Sequence, residues 1–182
     1  MQQLNAKELR TQDVDQALKE SLPKHPISII LDNVLDTYNV GSIFRLADAT
    51  AVNKVYLCGE TLTPPNSRIK KASINTWQWV DWEYCATALE AVERIRSQQH
   101  GVKVVAVEQD ERSVPFQTVK FEFPSAIVVG HESNGVSKEV LDICDHIVEL
   151  PMWGINVSLN VMVSCGIVLY EMMKQYTAGK SL

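Results

Sequence analysis

Five short apolar runs set the limits on what this chain can become: ISIIL (27–31), KVYLC (54–58), VKVVAV (102–107), AIVVG (126–130) and HIVEL (146–150). Each is too short to be a self-burying helix, and their Val and Ile content is that of strands. WQWVDW (77–82) reads as a weaker sixth. Helical stretches lie between them, such as Ile43 to Ala51 and Ala86 to Gln99, where Ala88, Leu89, Val92 and Ile95 make one face. Strands that are apolar at nearly every position are covered on both sides. Alternating them with helices predicts an α/β domain, a mostly parallel sheet with helices on both faces.

The two ends of the chain differ from this middle. Val14, Leu18 and Leu22 recur at four-residue spacing, which predicts one amphipathic helix from Ala6 to Leu22, stopped by Pro23. It forms a helical appendage, 1–24, to a main domain, 25–182. The last segment, SLNVMVSCGIVLYEMMKQY (158–176), is apolar nearly all the way round. A helix of that kind is covered on every side, either as the central helix of a monomeric core or by a second copy in a homodimer.

No run approaches the roughly 20 apolar residues of a membrane span, and MQQLNAKELR at the start is too polar for a secretory segment. The expectation is a cytoplasmic protein with no membrane partner. Cys58, Cys85, Cys144 and Cys165 are widely spaced, with no CxxC pair, and read as four buried thiols. His131, Cys144 and His146 match no common zinc spacing, so no metal is expected. With 17 basic and 22 acidic residues, the net charge of −5 argues against broad, non-specific nucleic-acid binding. It leaves room for a local basic patch, for which Arg68, Lys70 and Lys71 in NSRIKKAS, just after Pro64-Pro65, are the candidates; the alternative is a solvated face.

Ligands of open α/β sheets collect at the C-terminal ends of strands. Neither GxGxxG nor GxxxxGK[ST] is present, but three loops at strand ends stand out. In NVGSIFR, Gly41 would let backbone approach a ligand and Arg45 offers a permanent cation with five donors. In VVGHESNGVSKE, Gly130 closes a strand, Glu132 sits in the turn, and Ser137 is placed to cap a helix starting at Lys138. In ELPMWGINVSLN, Pro151 ends a strand and a loop leads to Ser158, Leu159 and Asn160.

In order and spacing these stretches resemble the three motifs of the SPOUT methyltransferases, in the SpoU or TrmH branch, which methylate the ribose 2′-oxygen of tRNA or rRNA. Asn39, Gly41, Ile43, Arg45 and Ala47 match the first motif; Gly130, Glu132 and Gly135 match the second. The third is matched by Leu150, Pro151 and Met152, then Ser158 to Val161, then Tyr170 and Glu171. Met162 departs from the Ser or Thr of many relatives, and SINTWQWVDW departs from a common Ser-Leu-Gly-Ala.

The resemblance implies a C-terminal trefoil knot, a homodimer with the site built across it, and S-adenosylmethionine as cofactor. Val107, Gly130, Glu132, Leu150, Met152 and Leu159 are the positions implied to hold it. For the chemistry it implies Arg45, with Asn39, Glu132, Ser158 and Asn160. A guanidinium is almost never neutral, so a grip on the adjoining phosphate that lowers the hydroxyl pKa suits Arg45 better than a general-base role, and Glu132 would orient it. Larger relatives append RNA-binding domains, which leaves RNA contact here to the N-terminal helix, Arg45, Arg68, Lys70 and Lys71, and to Trp77, Trp79 and Trp82 if these stack on bases rather than fill a core. The competing readings are a non-catalytic RNA- or cofactor-binding module and methyl transfer to a non-RNA acceptor.

Overall fold

The computed structural model describes residues 3–178; the limits expected at 1 and 182 lie outside them. Strands β1 (His25–Asp32), β2 (Val52–Cys58), β3 (Trp82–Cys85), β4 (Lys103–Val107), β5 (Val114–Pro115), β6 (Ser125–Gly130) and β7 (His146–Glu149) form one seven-stranded sheet. Its order is β3-β2-β1-β6-β4-β7-β5, and every neighbouring pair is parallel.

The alternation of side chains along each strand decides which layer they build. Ile27, Ile29 and Leu31 of β1 join Val55, Leu57, Ile127 and Val129 in a core shared with helices α3 (Thr37–Ala49), α4 (Ser67–Ser73) and α7 (Val161–Ala178). Ile30 points the other way and joins Tyr56, Val104, Ala106 and Val128 against α5 (Ala88–Gln98) and α6 (Lys138–Leu141). Helices therefore cover both faces, as expected, and the strand ends stay open at the sheet's carboxyl edge.

The N-terminal segment is two helices and not one: α1 (Ala6–Thr11) and α2 (Gln16–Ser21). Asp15 is extended and its carboxylate accepts from the Leu18 N–H at 3.1 Å, so it starts a new helix instead of continuing the old one. Asn5 and Glu8 close a capping box on α1. The WQWVDW stretch is also corrected. Ile74 and Asn75 are both left-handed (φ 54° and 65°), which turns the chain after α4 into a 3₁₀ turn, Thr76–Gln78, and β3 begins only at Trp82. Trp79 is buried, while Trp77 and Trp82 are half-buried against the core on the α3 side.

Cys58, Cys85 and Cys165 are buried free thiols; Cys144 is only half-buried, because its sulfur lies at the end of the short α6 turn, donating to the Leu141 carbonyl. Within the chain α7 is covered along one stripe, Cys165, Val168, Leu169 and Met172, and exposes another, Val163, Ile167 and Tyr170. Among the described residues no helix is long and apolar enough to cross a membrane.

Candidate active site

Two apolar strands are each followed by an acid, and both acids turn back to hold the same loop. Asp32 ends β1 and is 2% exposed; its Oδ2 accepts from the Ser137 N–H at 2.8 Å. Glu108 follows β4, and its Oε2 accepts from the Val136 N–H, also at 2.8 Å. Successive backbone donors of the 130–137 turn are thus fixed by carboxylates from two different strands. The Ser137 side chain makes no capping bond, contrary to expectation: its backbone is held by Asp32, and α6 is a single short turn.

The rest of the turn is wired internally. His131 and Gly135 exchange backbone hydrogen bonds at 3.0 and 2.9 Å, and His131 Nδ1 accepts from the N–H of Ser133 at 2.9 Å. That assigns the ring proton, when the imidazole is neutral, to Nε2. Glycine is required twice. A Cβ on Gly130 would lie 2.1 Å from the Gly135 carbonyl carbon, and Gly135 adopts φ +69° with space for a Cβ only 2.0 Å from Glu108 Oε2.

From this turn Glu132 reaches across to the start of α3. Its carboxylate accepts from the Leu35 N–H (3.1 Å), the Asp36 N–H (3.0 Å) and Asn39 Nδ2 (3.0 Å). Partial burial works to raise its pKa, but the hydrogen bonds from Asn39 and the two backbone amides outweigh burial and hold it below the usual glutamate range. All of these bonds are to the helix N-terminus, where a negative charge is favoured. Within the chain Glu132 is thus bonded to the start of α3 and makes no bond to Arg45.

Because a carboxylate only accepts, Asn39 must present its NH₂ to Glu132, which leaves its oxygen for a donor. Asn160 supplies it, Nδ2 to Asn39 Oδ1 at 3.0 Å, while Asn160 Oδ1 caps α7 by accepting from the N–H of Met162 at 3.0 Å. Glu132, Asn39 and Asn160 thus form one hydrogen-bonded line through all three motifs, the first of which is not the expected loop, because Asn39 to Arg45 lie within α3, started by its Asp36 cap.

Beside this line opens a cavity of about 550 Å³, inside the range of roughly 300–1,000 Å³ typical of small-molecule sites. Val107, Gly130, Glu132, Leu150, Met152 and Leu159 all line it, as do Ser158 and Asn160. Gln109 Nε2, donating to the Val157 carbonyl at 2.5 Å, ties the 151–160 loop over the strand ends. The walls suit a ligand with an apolar ring and polar ends. Neither Asp32 nor Glu108 was among the residues expected from sequence; the available signal was an acid placed directly after an apolar strand.

Arg45 stands apart from this cavity. It is on the exposed face of α3, about 9 Å along the axis from Asn39 at 1.5 Å per residue, with no hydrogen-bond or ion-pair partner among the described residues. Gly41 faces α4 and does not line the cavity. A Cβ there would meet Ala72 Cβ at 2.6 Å and the Ile69 carbonyl at 2.9 Å, so this glycine lets α3 and α4 pack closely. Arg68, Lys70 and Lys71 are exposed on α4, whose N-terminus is capped by Asn66.

An open parallel sheet with a cavity at its carboxyl edge, wired by Asn39 on α3, Glu132 in the 130–137 turn and Asn160 at the start of α7, defines an α/β ligand-binding scaffold. The model of the SpoU rRNA Methylase family matches residues 26–170, and the chain belongs to that family. It is 33% identical over 166 residues to the tRNA (guanosine(18)-2′-O)-methyltransferase of Aquifex aeolicus, covering 87% of this chain and 74% of that one. It is 29% identical to the 23S rRNA (guanosine-2′-O-)-methyltransferase RlmB of Vibrio parahaemolyticus, over 96% of this chain and 69% of that one. Among solved structures, the A. aeolicus TrmH/SpoU tRNA modifying enzyme superposes with a TM-score of 0.77 at 29% identity, covering 96% of this chain and 83% of that one. The AdoMet-bound rRNA methyltransferase of Sinorhizobium meliloti gives 0.74 at 26% identity, covering 91% and 61%.

Proposed function

We propose that this chain transfers a methyl group from S-adenosylmethionine to a ribose 2′-hydroxyl of tRNA or rRNA. The observation that carries the reading is the Glu132–Asn39–Asn160 line, which assembles the three methyltransferase motifs along one wall of the cavity. The cofactor supplies an electrophilic sulfonium methyl.

The residues present fit that cofactor. Val107, Leu150, Met152 and Leu159 offer apolar wall for the adenine, and the Gly130–Gly135 contact leaves bare backbone where a side chain would fill the space. The hydroxyl must lose its proton as it attacks, and a fixed cation beside the neighbouring phosphate stabilises the developing alkoxide. Arg45, exposed and unpaired, is free to take that phosphate through two parallel N–H donors. Asn39 and Asn160 hold the loops, and Ser158 borders the cavity where the ribose would enter.

The site is completed across a homodimer. In support, Arg45 lies outside its own chain's cavity, and besides the exposed α7 stripe of Val163, Ile167 and Tyr170 the 151–160 loop that leads into α7 exposes Trp153 (89% exposed), Ile155 and Val157. An apolar surface of that extent beside a site is the mark of an interface. The 151–160 loop passes back from β7 to reach α7, which packs on α3, and Gln109 pins it on the way; this path supports the C-terminal trefoil knot of the family.

Alkali tests the chemistry, since RNA cleavage uses the 2′-hydroxyl. Total RNA incubated with the protein and methyl-labelled cofactor, then hydrolysed, should give label in resistant dinucleotides. Label in mononucleotides would mean base methylation. An Arg45→Ala variant that still binds cofactor should lose about 100-fold or more. Light scattering should give a dimer mass at micromolar concentration, and a monomer mass would refute the dimer.

A further inference from the structure

Ion pairing divides the cations of this protein by location. Away from one region they are matched with acids: Lys19 and Lys24 hold Asp81, Lys54 and Arg94 hold Glu83, and Arg96 and Lys103 hold Asp145. Lys7 and Arg10 on α1, Arg45 on α3, and Arg68, Lys70 and Lys71 on α4 are exposed, and among the described residues none has a carboxylate or other side-chain partner. Elsewhere among the described residues the same holds for Lys120.

The three helices that carry the six are joined. Gly41 brings α3 onto α4 at Ile69 and Ala72, and both pack on the 3₁₀ turn that follows. Asn75, buried and left-handed just past the end of α4, donates from Nδ2 to the Leu9 carbonyl at 2.9 Å. Leu9 lies between Lys7 and Arg10, so one buried amide ties the N-terminal arm to the end of the α4 basic cluster.

We propose that α1, α4 and α3 form one continuous phosphate-binding track for the RNA backbone, with Asn75 tethering Lys7 and Arg10 in line with Arg68, Lys70 and Lys71 on the way to Arg45. The inference rests on the methyltransferase reading above and deepens it by placing the RNA. Charge complementarity selects the occupant. A chain of net charge −5 repels a polyanion as a whole, so attraction has to come from cations that no acid has neutralised, and these are gathered here.

The test is the salt dependence of binding to a fluorescently labelled, unmodified tRNA transcript, read by anisotropy with the full chain. Replacing two cations that contact phosphates, Lys7→Gln with Arg10→Gln, should reduce the slope of log affinity against log salt by about 1 to 2. Among the described residues neither side chain makes a bond, and calorimetric binding of S-adenosylmethionine should be unchanged. Lys120→Gln should leave the slope as it is. Asn75→Gly keeps the backbone conformation but loses the tether, and should reduce the slope with both cations still present. An unchanged slope in the Lys7/Arg10 variant overturns the track alone, and an unchanged slope in Asn75→Gly overturns the tether. A wild-type chain with no salt-dependent affinity for the transcript would sink the RNA reading itself.

Discussion

Asn39 and Asn160 are bonded amide to amide at 3.0 Å across 121 residues of sequence, and the other end of the Asn39 amide is bonded to Glu132. A side chain that donates on one side and accepts on the other is the one type able to link a carboxylate to a helix-capping amide in this way. The motif loops are therefore held relative to one another by a polar line whose geometry is set before any ligand arrives.

Asn39→Ala should leave cofactor binding measurable but cut single-turnover transfer by about 100-fold, the scale of a 1 Å misplacement of reacting groups. Asn39→Asp is the sharper variant. It keeps the acceptor for Asn160 but sets a second carboxylate against Glu132 at the position where Asn39 Nδ2 now lies 3.0 Å away. Like charges raise one pKa of such a pair. The variant should melt at a lower temperature than wild type at pH 7, and the gap should narrow as pH falls toward 5; a pH-independent gap would contradict the arrangement.

Gly41→Ala should destabilise the fold by about 1–3 kcal/mol, as overpacking does, because the new methyl meets Ala72 Cβ at 2.6 Å and backbone of α4 at 2.9 and 3.0 Å. Urea unfolding reads the loss. A fully stable variant would show that α4 moves aside freely.

Gly135→Ala and Gly101→Ala make a matched pair. Both glycines have positive φ, +69° and +75°, but a Cβ at Gly135 collides with the Glu108 carboxylate and one at Gly101 meets nothing within 4 Å. Both variants should lose about 1–3 kcal/mol to backbone strain. The Gly135 variant alone should also bind S-adenosylmethionine more weakly, by about tenfold for each 1.4 kcal/mol of distortion in the turn. Calorimetry on the pair separates the two effects.

Glu132 predicts a sign for acid unfolding. Its folded pKa is below the ordinary value of about 4.3, held there against partial burial by its hydrogen bonds to Asn39, Asp36 and Leu35. The stability it contributes is therefore complete above that ordinary value and is lost as pH falls through the folded one. Unfolding of wild type compared with Glu132→Gln should show a stability difference that is constant from about pH 5 to 7 and shrinks below about pH 4. A difference that grew on acidification would reverse the sign and exclude the bonding described.

The strands were legible from residues alone because their cause is local, whereas the cavity wall was marked only through the family resemblance. A strand buried on both faces must be apolar at nearly every position, so β1, β2, β4, β6 and β7 announce themselves, and of the cavity-lining residues Val107, Gly130 and Leu150 fall at or just past their ends, while Leu159 comes from the loop before α7. The ordered motifs marked Asn39, Glu132 and Asn160 as belonging to one site. What they do there was decided only by the tertiary structure, because Asn39, on α3, meets Glu132 from 93 residues and Asn160 from 121 residues further along the chain. Glu132 meets the start of α3 and not the Arg45 of its own chain; Gly41 meets α4; Asp32 and Glu108, not singled out from the sequence, hold the 130–137 turn. Local competition also overruled periodicity, where Asp15 restarted the N-terminal helix and two left-handed residues delayed β3 to Trp82. Hydrophobic spacing records which face of an element is buried, but hydrogen-bond partners depend on which elements the packed core brings side by side, and no window of sequence contains both halves of such a pair.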